Sequence, residues 1–147
     1  MLSKTVTLRF ARTEDFATCP ALQEDAFLCD ERHAAYRAHV VIAETAGEFC
    51  AYLLFGFYKD AIPFLHRLYV TPAQRGKGCA GEVISKWEAL LQADGYTRVM
   101  LSTSSLNTAQ NFYRLMGYRA IGGFTLPGEA LELVFFKELD EARIREK

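Results

Sequence analysis

The sequence lacks the features that mark secreted, zinc-binding and membrane proteins. Its four cysteines are widely spaced and include no Cys-x-x-Cys pair, which favours reduced thiols in a cytosolic protein over a disulfide framework or a zinc site. The apolar run over residues 49–58 is too short to cross a bilayer, and the N-terminal residues contain no signal-peptide core. We therefore expect a soluble, cytoplasmic protein with no metal and no membrane partner.

Excess charge of one sign is also lacking. The formal net charge is −1 over 147 residues, so the chain offers no general basic field to nucleic acid. Half of the residues are apolar and 13% are aromatic, which excludes a disordered chain. The length suffices for one domain, and no repeat, linker or low-complexity segment interrupts it. We expect a single domain over residues 1–140 and a charged tail over residues 141–147.

The stretch over residues 68–81 organises the rest of the chain. An apolar run over residues 64–70 predicts a strand that ends before Thr71 and Pro72. A glycine-containing turn follows, and then an apolar face recurs at helical spacing, formed by Val83, Ile84, Trp87, Leu90 and Leu91. The opposite, polar face is formed by Glu82, Ser85, Lys86, Glu88 and Gln92. The pattern therefore predicts a strand, a glycine-rich turn and a helix.

This arrangement is suited to binding phosphate. The first amides of a helix lack intrahelical acceptors and carry partial positive charge. Gly76 and Gly78 remove the side chains that would hold an anion away from those amides, while Arg75 and Lys77 add charge. The order Lys77-Gly78 without a following hydroxyl excludes a Walker A loop, and the glycine spacing excludes the dinucleotide fingerprint. The alternative interpretation is a simple tight turn.

The remaining pattern predicts an α/β protein with a mixed sheet and helices on both faces. Strands are expected over residues 5–10, 39–44, 48–58, 64–70, 98–103, 118–123 and 131–139, with a turn over residues 59–63. A first helix is expected after Thr13 as N-cap, and further helices are expected over residues 22–28 and 30–39. The helix after the glycine turn should end at Asp94-Gly95, and the last helix should run from Asn107 to a terminating Gly117. The unit over residues 64–103 should form a right-handed parallel crossover.

Two motifs together resemble the GNAT superfamily of N-acetyltransferases. The first is Arg75-Gly76-Lys77-Gly78-Cys79-Ala80, directly preceded by Leu68-Tyr69-Val70, which is similar to the acetyl-CoA-binding pattern Arg/Gln-x-x-Gly-x-Gly/Ala. The second is Asn107-x-Ala109-x-x-Phe112-Tyr113-x-x-x-Gly117-Tyr118. Asn107 lies closer to Ala109 than in many members, but both motifs occur in the family order, and the predicted elements fit along the whole chain.

The resemblance implies a six- or seven-stranded sheet that is splayed in the middle, with acetyl-CoA as co-substrate in the gap. It implies that the backbone of Leu68, Tyr69 and Val70 pairs with the pantetheine arm, and that Asn107 contacts the same arm. Tyr113 would place its hydroxyl near the CoA sulfur. The amides that would hold the pyrophosphate belong to Arg75, Gly76, Lys77, Gly78, Cys79, Ala80 and Gly81.

Acetyl transfer chemistry suits these assignments. A phenol with a pKa of about 10 stays protonated at neutral pH, so Tyr113 can donate a proton to the leaving thiolate, and a backbone amide can stabilise charge on the thioester oxygen. Without the motif, Tyr113 would be read as an aromatic core residue. His66 shares a strand face with Leu68 and is the candidate base, as in the similar animal arylalkylamine N-acetyltransferases. A glutamate, a water chain or a structural histidine are the alternatives.

The acceptor is the open part of the functional hypothesis. The expected activity is transfer of an acetyl group to a primary amine of a small molecule, amino acid or peptide, by direct attack in a ternary complex. A non-catalytic acyl-CoA-binding sensor and a protein acetyltransferase are the alternatives, and a homodimer is possible. The candidate acceptor contacts are Glu24, Asp25, Asp30, Glu31, His33 and Tyr36. The alternative interpretation is that these residues form a solvated helix face.

Overall fold

The computed structural model describes residues 5–24 and 39–139. Within them the predicted order of strands and helices is confirmed. The strands are β1 (Val6–Phe10), β2 (Val40–Thr45), β3 (Glu48–Tyr58), β4 (Ile62–Val70), β5 (Arg98–Ser104), β6 (Arg119–Phe124) and β7 (Glu132–Glu138). The helices are α1 (Thr13–Thr18), α2 (Pro20–Gln23), α3 (Cys79–Ala93) and α4 (Ala109–Leu115), with a 3₁₀ turn at Pro72–Gln74 before α3. The predicted helix over residues 30–39, most of that over residues 22–28 and the tail lie outside the described residues.

The strands form one seven-stranded mixed sheet in the order β1-β2-β3-β4-β5-β7-β6. β1 with β2, β2 with β3, β5 with β7 and β6 with β7 are antiparallel pairs. The pair of β4 with β5 is parallel, with Phe64 opposite Met100 and Leu65 opposite Leu101, which confirms the parallel connection expected from the strand–helix–strand pattern. β1 and β6 are the two edge strands.

Two tight turns set the lengths of the central strands. Between β2 and β3, Ala46 and Gly47 have φ values of 54° and 80°, the backbone of a two-residue turn that matches strand twist. Lys59 and Asp60, with φ values of 52° and 58°, close the turn after β3. The turn predicted over residues 59–63 is confirmed at residues 59–61, but its last two residues are wrong: two left-handed residues suffice to reverse the chain, and β4 begins at Ile62.

The start of α1 differs from the prediction. Arg12, with an extended backbone at φ −105° and ψ 162°, is the N-cap, and Thr13 already belongs to the helix. Asp15 Oδ2 accepts the amide of Arg12 at 2.6 Å, and the same carboxylate pairs with Arg9 at 2.8 Å. The Asp15 carboxylate, at the third helical position, thus accepts the amide of the N-cap residue Arg12, and the predicted N-cap at Thr13 is wrong.

The chain forms two compact units. Among the described residues, the first comprises those up to Gly56 together with Arg67–Lys86, and the second comprises Phe57–His66 and those from Trp87 onward. The core of the first unit is formed by Leu22, Val40, Ile42, Tyr52 and Leu54. The expectation of one domain over residues 1–140 stays a prediction.

The first half of α3 is anchored to edge strand β1. Glu82 Oε2 accepts the amide of Val6 at 2.8 Å, and the Lys86 ammonium donates to the carbonyl oxygen of Val6. These two side chains satisfy backbone groups that an edge strand leaves open. The helix whose N-terminus follows the glycine turn is therefore held in place by the strand edge.

In the second unit, α3 ends as its sequence indicates. Gly95 has φ 94°, its amide donates to Gln92, and the amide of Tyr96 donates to Leu91, which is the Schellman arrangement. The largest buried side chains of this unit include Trp87, Leu101 and Phe135. No helix among the described residues has the length and apolar character to cross a membrane.

Candidate active site

The glycine turn has the backbone geometry that an anion site requires. Gly76 and Gly78 have φ values of 75° and 81°. Apart from their chain neighbours, no atom of the described residues lies within 4 Å of where a Cβ would stand at either glycine. The first intrahelical bond of α3 runs from the amide of Glu82 to the carbonyl oxygen of Gly78 at 3.2 Å. The amides of Cys79, Ala80 and Gly81 precede that bond, so no carbonyl of the helix can accept from them. These amides are suited to a pyrophosphate.

Arg75 closes the turn back onto β4. Its Nε donates to the carbonyl oxygen of Val70 at 2.9 Å, and its guanidinium carbon lies 5.6 Å from the ring centroid of Tyr69. The Tyr69 ring in turn stacks on Tyr52, with centroids 5.6 Å apart. The sequence predicted only a charge at this position. The structure adds that the guanidinium group holds the turn against the strand through its Nε. Its other N–H groups can still donate to an anion beside the turn.

The side chain of Cys79 lies inside the protein. Cys79 is 7% exposed, and its Sγ is 3.8 Å from the Sγ of buried Cys50. Burial and the neighbouring Cys79 thiol raise the pKa of Cys50 to about 12. Only the backbone of Cys79 can therefore contribute to the turn, whereas Lys77 is exposed.

The predicted pantetheine strand and the candidate base lie on β4. Leu68, Tyr69 and Val70 are half-buried at its C-terminal end. His66 is exposed, and its ring centroid is 5.3 Å from that of Phe64. The role of His66 as a base stays a prediction.

The candidate acid Tyr113 lies in α4 and is half-buried. Its ring meets Phe112 and Tyr118 nearly edge to face, with centroids 5.1 Å and 5.9 Å apart. Burial raises the pKa of the Tyr113 phenol above its usual value of 10. The hydroxyl is accordingly protonated at neutral pH, which is the state that a proton donor needs.

A buried charged network holds Tyr118. The Tyr118 hydroxyl donates to Glu88 Oε2 at 2.7 Å, and the Lys137 ammonium lies 2.8 Å from Glu88 Oε1. Burial, followed by the negative charge of Glu88, raises the pKa of Tyr118 far above its ordinary value. The sequence pattern assigned Glu88 to the polar face of α3, and this was wrong: Glu88 is 7% exposed.

No local signal identifies this network in the sequence. Lys137 is 49 residues from Glu88, and Tyr118 is 30 residues away. The sequence pattern around a single carboxylate among apolar residues is the same whether that carboxylate faces solvent or a buried cation. The pattern therefore cannot distinguish the two cases. Only the Gly117-Tyr118 pair of the second motif pointed to this part of the chain.

Asn107 has a structural contact in addition to its predicted role. Its Oδ1 accepts the amide of Ala109 at 2.8 Å and so orders the start of α4. Gln110 Nε2 donates to the carbonyl oxygen of Ser105 at 2.8 Å and supports the same loop. The contact of Asn107 with pantetheine stays a prediction.

Most of the predicted acceptor residues lie outside the described part of the chain: Asp25, Asp30, Glu31, His33 and Tyr36. Glu24 follows α2 and is exposed. Across residues 5–24 and 39–139, no group of three or more His, Cys, Asp or Glu side chains is arranged to hold a metal ion.

Solved structures with this fold include several acetyltransferases. Ard1 from Thermoplasma volcanium has a TM-score of 0.73 at 12% identity, over 91% of this chain and 97% of that one. The ribosomal-protein-S18-alanine N-acetyltransferase of Escherichia coli has a TM-score of 0.73 at 16% identity, over 92% and 94% of the two chains. YncA of Salmonella typhimurium, a putative acetyltransferase solved with its cofactor acetyl-CoA, has a TM-score of 0.66 at 23% identity, over 93% and 95%.

Comparison with curated protein sequences gives no significant match. The model of the acetyltransferase (GNAT) family matches residues 7–118, which is most of the chain and includes both motifs. The chain therefore belongs to the acetyltransferase (GNAT) family.

Proposed function

We propose that this protein transfers the acetyl group of acetyl-CoA to a primary amine of a small molecule, amino acid or peptide. The observation that carries the proposal is the open glycine turn at the N-terminus of α3, where two left-handed glycines precede three amides without helical acceptors. Family membership and the acetyl-CoA named for the Salmonella structure support the choice of ligand. In this proposal the protein is a single domain over residues 1–140 with a tail over residues 141–147. It acts in the cytoplasm, and a homodimer is compatible with this activity.

The residues that hold acetyl-CoA act mainly through their backbone. In this proposal the amides from Gly76 to Gly81 bind the pyrophosphate, with Arg75 and Lys77 supplying positive charge. The backbone of Leu68, Tyr69 and Val70 pairs with the pantetheine arm, and Asn107 contacts it. Because backbone groups carry most of the binding, the side chain at Cys79 is free to lie in the core, as it does.

Tyr113 is the proposed general acid. Acetyl-CoA supplies an activated thioester whose leaving group is a thiolate. The Tyr113 hydroxyl donates its proton to that sulfur as the carbon–sulfur bond breaks. The burial that raises the pKa of this phenol keeps it protonated at neutral pH, so its proton is available when the thiolate leaves. A backbone amide of Leu68, Tyr69 or Val70 donates to the carbonyl oxygen and stabilises its growing charge.

His66 is the proposed base. An amine attacks only when its nitrogen is neutral, and an imidazole with a pKa of about 6.5 accepts a proton near neutrality. The exposure of His66 on β4 leaves it accessible to an acceptor or to an intervening water. Acetyl transfer then follows in a ternary complex, with the proton of the amine passing to His66 and that of Tyr113 to the thiolate.

A thiol-release assay tests the proposal. Purified protein is mixed with acetyl-CoA and a panel of amines, diamines, amino acids, aminoglycosides and short peptides, and free CoA is measured. The proposal predicts release that depends on at least one acceptor. Tight binding of acetyl-CoA without acceptor-dependent release would favour a non-catalytic acyl-CoA sensor instead.

A further inference from the structure

The face of the sheet that carries His66 in the second unit also carries polar side chains on β5 and β7. Leu65 and Leu101 are directly paired and buried. Because successive side chains alternate between faces, the next residues, His66 and Ser102, share the opposite face. On β7, Val134 pairs with Ser102, and Glu132 lies two residues further along on the same face. His66, Ser102 and Glu132 therefore belong to one surface.

Glu132 is a half-buried carboxylate that accepts a hydrogen bond and has no cationic partner among the described residues. Its Oε2 accepts the Ser102 hydroxyl at 2.8 Å. Within residues 5–24 and 39–139, Glu132 forms no ion pair with a Lys, Arg or His side chain. A carboxylate withdrawn from water without a cation is costly, whereas the same carboxylate fixed by a hydroxyl is ready to receive a cation.

An exposed aromatic ring stands beside this carboxylate. Phe124 pairs directly with Glu132 across β6 and β7, so the two side chains lie on the same face, about 5 Å apart at Cβ. Phe124 remains 49% exposed. Gly122 pairs with Val134, and apart from its chain neighbours no atom of the described residues lies within 4 Å of where its Cβ would stand. Within that part of the chain, the face therefore has space next to a carboxylate and a ring, the two groups that attract an organic cation.

We propose that Glu132 and Phe124 form a subsite for a cationic group of the acceptor, on the sheet face that carries His66. This inference rests on the proposed acetyl transfer and names its substrate class: an amine with a second positive charge, such as a linear diamine. The carboxylate does not hold the reacting nitrogen, because an ammonium paired with Glu132 would keep its proton. Glu132 lies two strands across from β4 and two residues further along β7 than Val134, so the second charge lies more than about 10 Å from the backbone of His66.

Matched amines test the subsite. Cadaverine and pentylamine have the same carbon chain, but only cadaverine has a second amine. We expect Glu132→Gln to raise the KM for cadaverine about tenfold, the effect of one ion pair, with the KM for pentylamine and both kcat values nearly unchanged. Phe124→Leu should raise the KM for cadaverine severalfold. Glu138→Gln, the same charge change near the other end of β7, is the control and should alter neither.

Two results would overturn the subsite. An equal rise in KM for both amines would mean that Glu132 only maintains the sheet. A fall in kcat with a displaced pH profile would make Glu132 a proton acceptor instead. If neither amine is acetylated, the wider acceptor panel decides the proposed activity separately, and calorimetry then decides the subsite. Cadaverine binding that is lost in Glu132→Gln supports it, and absent or unaltered binding refutes it.

Discussion

The backbone amide of Tyr118 donates to the carbonyl oxygen of Tyr113 at 3.0 Å, and the rings of the two residues meet edge to face. Gly117, at φ 96°, makes this possible by ending α4 in a Schellman turn. The far side of Tyr118 is fixed by Glu88 and Lys137. The proposed acid is thus packed against a ring that is itself held at its hydroxyl, which limits the motion of Tyr113.

Replacing Tyr113 by Phe tests the acid directly. The variant keeps the ring contacts with Phe112 and Tyr118 but removes the proton. We expect kcat to fall roughly 10²- to 10⁴-fold, the range for general acid catalysis, while calorimetry gives nearly the same acetyl-CoA affinity. Turnover equal to that of the unmodified protein would remove Tyr113 from the mechanism.

Replacing Gly76 by Ala tests the glycine turn against a matched control. Gly47 has nearly the same left-handed backbone and equally open surroundings, but it lies in the β2–β3 turn. Each substitution should lower the free energy of unfolding by about 1 kcal/mol because an L side chain is strained there. Only Gly76→Ala should also weaken acetyl-CoA binding, because an added side chain and an altered backbone at this turn would hold an anion away from the helix amides. Equal affinity in the two variants would contradict the phosphate assignment.

The charge network predicts a strong effect on stability. Glu88→Gln leaves the Lys137 ammonium without its counter-charge and should lower the free energy of unfolding by about 3 kcal/mol. The double variant Glu88→Gln with Lys137→Met should recover part of that loss because no lone charge remains. Urea unfolding measures both.

The control for this network is the exposed pair of Arg119 and Glu138, whose charged atoms are 3.7 Å apart. Glu138→Gln should cost less than about 1 kcal/mol, as exposed ion pairs do. Similar losses for Glu88→Gln and Glu138→Gln would show that the buried carboxylate is not paired as described.

The buried tyrosines predict a loss of stability in alkali. Burial raises the pKa of Tyr113, and burial with Glu88 raises that of Tyr118. In the unfolded chain both phenols ionise near pH 10, so above that pH the unfolded state binds fewer protons than the folded state. The free energy of unfolding should therefore fall as pH rises beyond about 10. Tyr118→Phe should make this fall shallower, and an unchanged slope would count against the raised pKa.

The sequence predicts the parts of this structure that depend on neighbouring residues. Helical spacing places four of the five predicted apolar residues of α3 on one buried face: Val83, Ile84, Trp87 and Leu91. The prediction for Leu90 was wrong, because Leu90 is 51% exposed. Gly95 and Gly117 end their helices because both adopt left-handed backbones. The mixed sheet follows from the order of these elements, and the family from two motifs at fixed spacing.

The features that the sequence did not predict depend on distant partners. Arg75 reaches a backbone carbonyl at Val70, and a carbonyl has no sequence signature. Glu88 pairs with Lys137 only because α3 and β7 pack together, and Glu132 faces Ser102 only through the register of β5 with β7. The start of α1 differs from the prediction because the Asp15 carboxylate accepts the amide of Arg12, so that Arg12 is the N-cap.

The most direct test of the account is product stoichiometry. Acetyl-CoA and an amine identified in the thiol-release panel are incubated with the protein, and CoA and N-acetylated amine are both quantified by mass spectrometry. If the protein transfers acetyl groups to amines, the two products form in equal amounts and only when protein, acetyl-CoA and amine are all present. If acetyl-CoA binds but CoA appears at the same slow rate with and without every amine tested, the protein is not an N-acetyltransferase for amines of these classes.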